Sequence, residues 1–210
     1  MKQIGRLHVL TDITLQNRFS HLDLTEMAIS GGADTIQYRQ KRGSTREMIE
    51  VAREMKSICS KAGITFVVND RIDIALAVKA DGIHLGQDDF PAPLARELLG
   101  RERIIGGSAG SVEEARKCLS EGVDYIGFGP VYTTTSKDDA GPAVGIEIMK
   151  QVSDEIPLPI IAIGGVSPEN TPDVIRAGAH GIAVISAICC QGDPELATRT
   201  LHRALNEFRS

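Results

Sequence analysis

Short, mostly apolar runs alternate along the chain with longer segments in which apolar residues recur at helical spacing. The short runs, such as 160–163 and 181–185, do not alternate between apolar and polar residues. Continuous apolar runs of this length are typical of parallel strands that are covered on both faces. Glycine or proline marks many of the boundaries, so the pattern predicts strands and helices in regular alternation.

The pattern predicts eight strands and eight helices. The predicted strands cover residues 7–11, 35–39, 66–69, 82–85, 104–108, 125–129, 160–163 and 181–185. The predicted helices cover residues 21–30, 44–62, 71–80, 111–121, 145–153, 168–177 and 194–208, together with a segment that ends at Leu99. The longest helix has a well-defined start, because Ser44 followed three residues later by Glu47 forms a capping box.

A weak internal repeat distinguishes two ways of arranging such a sheet. The segments GGADTIQYR, KADGIHLGQ, EGVDYIGFGP and AGAHGIAVIS join a helix end to the second, fourth, sixth and eighth predicted strands. Alternate strands of a closed eight-stranded barrel contribute to common interior layers, so similarity at every second strand is expected there. An open doubly wound sheet offers no such reason. We therefore predict one α/β domain over residues 1–210, a single (β/α)8 TIM barrel.

Composition and charge narrow the classes of function. The net charge of −5 argues against general binding of nucleic acid, so a phosphate site would need a local group of basic residues. The four cysteines show no CxxC spacing, which predicts reduced thiols and a cytoplasmic protein. The N-terminal apolar run is too short for a signal peptide, and no segment approaches the length of a membrane span.

Polar residues gather directly after the predicted strands, where the active sites of such barrels lie. Arg39, Lys41 and Lys137 can bind a polyanion, and the hydroxyl run 133–136 beside Lys137 can surround a phosphate. Asp70 and Asp89 can share a hard cation, and their oxygen ligands favour Mg²⁺. The lack of paired His or Cys ligands disfavours zinc.

Each of these features also has an ordinary structural explanation. Asp70 could cap the helix that begins at Arg71, and the Thr/Ser run could be a polar surface turn. His8 and His84 lie on predicted strands and are expected to be satisfied core or rim histidines. Ser108 has no readable base in the sequence, so it is not expected to be a nucleophile. The combination on one rim, rather than any single residue, favours a phosphate-handling site.

Seven segments in register resemble the thiamine-phosphate synthase family, also called thiamine-phosphate pyrophosphorylase. They are QYRQK at 37–41, VVNDRIDIAL at 67–76, ADGIHLGQDD at 80–89, GGSAG at 106–110, DYIGFGPVYTTTSKDDAGPAVG at 124–145, PIIAIGG at 159–165 and GIAVISAI at 181–188. The resemblance implies a transferase of thiamine biosynthesis. Its reaction joins hydroxymethylpyrimidine diphosphate to hydroxyethylthiazole phosphate, or the carboxylate form of the thiazole, and releases pyrophosphate.

The resemblance also implies roles for individual residues. The pyrimidine diphosphate would be held by Gln37, Arg39, Lys41 and Asn69, with Tyr38 and Gln40 counted among the substrate-binding residues. Mg²⁺ would be bound by Asp70 and Asp89. The residues near both substrates would be Ser108, Thr134, Thr135, Ser136 and Lys137, and the thiazole phosphate would meet Gly165, Ile185 and Ser186. The expected catalytic residues are Arg39, Lys41, Ser108 and Lys137.

Four positions depart from the family pattern and bear on rate and specificity. Gln40 stands where the family usually has Glu, and Gly110 stands where it often has His. Thr133 stands where the family commonly has Pro, and Asp138 stands where it commonly has a second Lys.

Two other functions stay open at this point. One is the thiazole tautomerase branch of the family, which has a catalytic His where this chain has Pro130. The other is a barrel that binds phosphate ligands without catalysis. Small-molecule substrates are expected in each case, with no nucleic acid or membrane partner, and a homodimer is possible. The preferred thiazole form and the role of Cys189 and Cys190 are left open by the sequence.

Overall fold

A computed structural model describes residues 3–136 and 141–207, and its eight parallel strands close into a barrel in chain order. The strands are β1 (Leu7–Thr11), β2 (Thr35–Tyr38), β3 (Thr65–Asn69), β4 (Gly82–Leu85), β5 (Ile104–Ala109), β6 (Tyr125–Phe128), β7 (Ile160–Ile163) and β8 (Gly181–Val184). The barrel closes where β1 pairs with β8, with Val9 opposite Val184. The predicted (β/α)8 barrel is confirmed.

Helices cover the outside of the barrel. They are α1 (His21–Gly31), α2 (Thr45–Ala62), α3 (Ile72–Ala77), α4 (Ala92–Leu99), α5 (Val112–Ser120), α6 (Ile146–Glu155), α7 (Thr171–Arg176), α8 (Ser186–Cys189) and α9 (Pro194–Asn206). The predicted capping box is confirmed, because the Ser44 hydroxyl accepts from the Glu47 N–H and the Glu47 carboxylate accepts from the Ser44 N–H. Within residues 3–136 and 141–207, no helix combines the length and apolarity needed to span a membrane.

The largest differences from the predicted helices are in α3 and α7, and α8 is an addition. α3 starts at Ile72 and ends at Ala77, so it is shorter than predicted. α7 starts at Thr171 rather than Pro168, because the Asn170 side chain accepts from the Ser167 N–H at 2.8 Å and closes a turn before the helix. α8 escapes sequence analysis because its single turn continues the apolar run of β8.

Strand side chains divide between two cores. The larger core lies between the strands and the helices and includes Val9, Ile36 and Phe66. The smaller core fills the barrel interior and consists of Leu10, Ile104, Tyr125, Ile161, Ala183 and Ile185, with Ile4 and Ile163 packed against it. Large interior side chains close the barrel to passage, so space for a ligand is found at a rim.

Two cysteines that are adjacent in sequence, Cys189 and Cys190, follow β8 and pack near the end of β1. Cys189 is fully buried and its thiol donates to the Leu10 carbonyl at 3.2 Å, whereas Cys190 is partly exposed. None of the four cysteines forms a disulfide, and all four lie among the described residues. Burial raises the pKa of Cys189 to about 12, so this thiol is unreactive and contributes to packing.

Candidate active site

A cavity of ≈ 520 Å³ opens at the carboxyl ends of the strands. Most of the predicted site residues line it. These are Arg39, Lys41, Asn69, Asp70, Asp89, Ser108, Thr134, Ser136, Gly165, Ile185 and Ser186. Because a parallel barrel places the carboxyl end of every strand on one rim, residues that are distant in sequence meet there.

Two carboxylates and a lysine form one wall of the cavity. The Lys41 ammonium donates to Asp70 Oδ2 at 2.6 Å, and the Asp70 and Asp89 side chains share a hydrogen bond. Asp89 Oδ2 also accepts from the Gly86 N–H at 2.7 Å. Asp70 has a left-handed backbone, with φ of 62°, and its N–H donates to the His84 carbonyl at 2.8 Å. This conformation turns the Asp70 carboxylate towards Lys41 and Asp89.

The two carboxyl groups have diverging pKa values. Burial pushes the pKa of Asp70 upwards, but the hydrogen bonds from Lys41 and Asp89 outweigh burial and hold that pKa below its ordinary value. Burial and the hydrogen bond with Asp70 raise the pKa of Asp89. A proton between the two carboxyl groups is therefore held more tightly by Asp89 than by Asp70. A cation between them would take the place of that proton.

The ordinary explanation of Asp70 as a helix cap is wrong. The N-cap position of α3 is Arg71, and no side chain caps that helix. The Arg71 guanidinium instead donates to Asp73 and to the Thr45 hydroxyl, so it points away from the acid pair.

Arg39 lies at the cavity wall but is already paired. Its guanidinium donates to Asp12, which follows β1 and is 1% exposed. Asp12 also accepts from the Thr14 N–H at 2.8 Å and from the Thr14 hydroxyl at 2.6 Å. Sequence reasoning misses Asp12, although its position directly after the first strand is the same signal that identifies Asp70.

Ser108 contacts a histidine of the barrel interior. Ser108 Oγ lies 2.9 Å from His84 Nε2, and His84 Nδ1 lies 3.0 Å from the Tyr125 hydroxyl. Both rings are buried, so His84 is a core histidine as expected, but it reaches the cavity through Ser108. The strand register explains the contact, because His84, Gly106 and Tyr125 occupy one row of the barrel.

The opposite wall of the cavity carries hydroxyl groups. The Ser136 and Ser186 hydroxyls lie 2.6 Å apart, which joins the loop after β6 to the start of α8. The Ser136 N–H donates to the Thr134 hydroxyl at 3.2 Å. A Cβ on Gly165 would lie 2.7 Å from Tyr132 Cβ, and the backbone of Gly165 has φ of 65°, so only glycine fits there.

Several predicted residues do not line the cavity. Tyr38 points outwards, where its ring meets His21 edge-on at 4.8 Å and its hydroxyl donates to the Gln40 side chain at 2.8 Å. Gln37 is buried and interacts with Tyr125, and Thr135 is exposed. Lys137 and Asp138 lie outside the described residues.

Comparison with known proteins relates this rim to one protein family. The sequence profile of a family described as "Thiamine monophosphate synthase" matches residues 7–188. Thiamine-phosphate synthase from Methanocella arvoryzae is 46% identical over 203 residues, which are 97% of this chain and 96% of that protein. Thiamine-phosphate synthase from Methanospirillum hungatei is 49% identical over 193 residues, which are 92% of this chain and 94% of that protein.

A solved structure agrees with the sequence comparisons. Thiamine phosphate pyrophosphorylase from Pyrococcus furiosus superimposes with a TM-score of 0.89 at 36% identity, over 98% of this chain and 97% of that chain.

Proposed function

The chain belongs to the thiamine monophosphate synthase family, and we propose that its rim cavity joins hydroxymethylpyrimidine diphosphate to hydroxyethylthiazole phosphate. The reaction transfers a pyrimidinylmethyl group. The bond from its carbon to the diphosphate oxygen breaks, a bond from that carbon to the thiazole nitrogen forms, and pyrophosphate leaves. The observation that carries the proposal is one cavity with a cation-and-carboxylate wall opposite a hydroxyl-rich wall.

In this proposal the wall formed by Lys41, Asp70 and Asp89 binds the diphosphate. Lys41 and Arg39 supply positive charge to the leaving group, and Asn69 contributes an amide at the same wall. A guanidinium has five N–H donors, so Arg39 can keep its bond to Asp12 while it donates to phosphate oxygens. Lys137, which is predicted from the sequence alone, would add a third cation.

Asp70 and Asp89 fit a magnesium ion. Both are oxygen ligands, and their shared hydrogen bond places them close enough to hold one ion. Among residues 3–136 and 141–207, no cluster of three or more His, Cys, Asp or Glu side chains could hold a metal. The remaining ligands would be water and substrate phosphate, a set that Mg²⁺ commonly takes. An ion held by Asp70 and Asp89 would neutralise charge on the departing pyrophosphate.

The opposite wall would receive the thiazole phosphate. Gly165 allows backbone N–H groups to approach an anion, and Ile185 and Ser186 lie where such barrels often bind phosphate. Thr134 and Ser136 connect this wall to the centre of the cavity. The two substrates would then meet with the thiazole nitrogen facing the pyrimidine carbon. Ring stabilisation of the developing cation removes the need for a protein nucleophile.

The alternatives from sequence have less support. The thiazole tautomerase branch needs a histidine where Pro130 lines this cavity, and proline supplies no acid or base. A barrel that only binds phosphate would have no use for two adjoining carboxylates, which oppose an anion unless a cation lies between them.

Product formation tests the proposal. Purified protein with both substrates and Mg²⁺ should form thiamine phosphate, and Asp70→Asn should reduce the rate by at least about a hundredfold because it removes a charged ligand of the cation that would neutralise the leaving group. Asp88→Asn is a matched control, since Asp88 is an exposed neighbour of the site and loses the same charge. No product from the intact protein, or equal losses in both variants, would contradict the proposal.

The cytoplasmic location and the possible homodimer stay predictions. Leu94 and Leu98 of α4, which are 46% and 55% exposed, give a homodimer an apolar surface to cover. Light scattering of the purified protein would measure its mass in solution.

A further inference from the structure

A row of hydrogen bonds runs from the cavity into the barrel. Ser108 lies at the cavity, His84 lies below it at 2.9 Å, and Tyr125 lies below His84 at 3.0 Å. Gln37 interacts with the Tyr125 hydroxyl from β2. The proposed reaction needs no base at Ser108, so it assigns no role to the buried His84 and Tyr125 behind that serine.

Two glycines provide the space for these rings. A Cβ on Gly106 would lie 2.2 Å from Tyr125 Cζ and 2.5 Å from His84 Nδ1. A Cβ on Gly127 would lie 2.8 Å from His84 Cε1. Since neighbouring strands carry no side chain at these positions, the His84 and Tyr125 rings fill the space and have little freedom to turn.

The buried end of the row sets the direction of its hydrogen bonds. Burial raises the pKa of Tyr125, so its phenol stays protonated. Gln37, on β2, partly opposes that rise. The Tyr125 hydroxyl then has its own proton to donate, and its neighbour at 3.0 Å is His84 Nδ1.

We propose that His84 is a positioning residue that carries its proton on Nε2, donates to Ser108 and thereby turns the Ser108 hydroxyl proton towards the cavity. Ser108 is then a hydrogen-bond donor to the bound anion and neither a nucleophile nor a base. The inference rests on the proposed function for the identity of that anion, the diphosphate leaving group.

The opposite direction of the hydrogen bond between His84 and Ser108 would not suit an anion in the cavity. If His84 accepted at Nε2, the Ser108 proton would point into the barrel and only oxygen lone pairs would face the cavity. Diphosphate oxygens are acceptors, so they would meet an acceptor. A neutral imidazole that accepts at Nδ1 donates at Nε2, and this choice of tautomer by a partner at the other nitrogen is a general property of histidine.

Nuclear magnetic resonance of the ligand-free protein tests the tautomer directly. Two-bond nitrogen–proton correlations in ¹⁵N-labelled protein distinguish the Nε2–H, the Nδ1–H and the doubly protonated ring. The His84 signals are assigned by their loss in His84→Gln. We expect the Nε2–H form, and either of the other two would overturn the proposal. This test uses no substrate, so it stands even if the intact protein makes no thiamine phosphate.

A double-mutant cycle tests the effect on turnover. Tyr125→Phe removes the donor that fixes His84, and we expect a loss of about tenfold in kcat, the size of one hydrogen bond at the transition state. In a Ser108→Ala background the same change should cost nothing further, because Tyr125 would act only through Ser108. Equal losses in both backgrounds would mean that Tyr125 acts through the fold, and would overturn the proposal.

A second pair of variants covers the case in which Tyr125→Phe does not fold. His84→Gln keeps an N–H donor near the position of Nε2, whereas His84→Leu has a similar size and no donor. Activity should be at least about tenfold higher in His84→Gln than in His84→Leu. Equal activity in two folded variants would contradict a donor role for His84.

Discussion

Replacing Asp89 with asparagine should stabilise the protein without Mg²⁺ and abolish its activity. Asp89 shares a hydrogen bond with Asp70 and has a raised pKa because of burial and that bond. A carboxyl group with a raised pKa in the fold stabilises the protein when protonated, and this contribution is lost as the pH rises through the folded pKa. Near pH 7 the ionised Asp89 therefore costs stability, and a neutral amide removes that cost.

The size of the effect depends on the charges around the pair. Two unit charges about 4 Å apart repel by about 4 kcal/mol at an effective dielectric constant of about 20. Lys41 lies 2.6 Å from Asp70 and offsets much of this repulsion, and water at the exposed part of Asp89 screens much of the rest. The net gain should therefore be about 1 kcal/mol, which raises the Tm of a chain of this length by about 3 °C. The asparagine oxygen can still accept from the Gly86 N–H.

Thermal unfolding at pH 7 with a chelator measures this gain, and Asp88→Asn controls for the change in net charge. With Mg²⁺ and pyrophosphate in place of the chelator, the unaltered protein should have the higher Tm and Asp89→Asn the lower. The unaltered protein should gain Tm because ligands that bind only the folded state stabilise it, whereas Asp89→Asn should gain little. The difference in chelator should disappear below about pH 4, where Asp89 is protonated in both the folded and the unfolded chain.

The reasoning would be refuted by a lower Tm of Asp89→Asn than of the unaltered protein in chelator. It would equally be refuted if Asp88→Asn raised the Tm by the same amount, since the gain would then reflect net charge.

Three further predictions concern the surroundings of the site. Asp12→Asn breaks a buried ion pair and should cost about 3 kcal/mol in urea unfolding, and adding Arg39→Gln should restore part of the loss because no unpaired charge is left. Gly127→Ala would displace His84 and should lower kcat by about tenfold. Gly192→Ala is the control, because a Cβ added there has no atom within 4 Å, and it should leave kcat unchanged. His8 is buried and its pKa is lowered to about 4, mainly by burial, so the protein should lose up to about 3 kcal/mol as the pH falls from 6.5 to 4. His8→Gln should flatten that part of the stability curve, and an unchanged curve would contradict the assignment to His8.

The fold and most of the cavity wall are predictable from sequence for one reason. Apolar runs identify the strands, and a parallel barrel brings their carboxyl ends together, so the sequence alone is enough to expect Asp70 and Ser186 on one rim. The segment 37–41 marks the limit of this inference. Successive residues on a strand point to opposite faces, which sends Tyr38 outwards to His21 while Gln37 points into the barrel.

The contacts that sequence analysis misses depend on the register between strands. His84 meets Ser108 and Tyr125 because β4, β5 and β6 align His84, Gly106 and Tyr125 in one row. Strands made of apolar residues and glycine contain no local signal that fixes such an alignment. Asp12 is missed for a related reason, since its partner Arg39 follows a different strand and the pairing appears only when β1 and β2 lie side by side.

The paired state of the cations explains how a chain with a net charge of −5 can maintain a site for a diphosphate. Arg39 is bound to Asp12 and Lys41 to Asp70, so both side chains are held at the rim before a ligand arrives. An arriving anion therefore does not have to order the Arg39 and Lys41 side chains, which lowers the entropic cost of binding. The anion takes the place of part of an existing ion pair as well as of water. The two ion pairs should respond differently to that anion. Asp12 is buried and also bound to Thr14, so it stays with Arg39, whereas Asp70 borders the cavity and can exchange Lys41 for a cation that the diphosphate brings. If Asp70 and Asp89 hold Mg²⁺ as proposed, Asp70 is the residue at which the metal and Lys41 would compete.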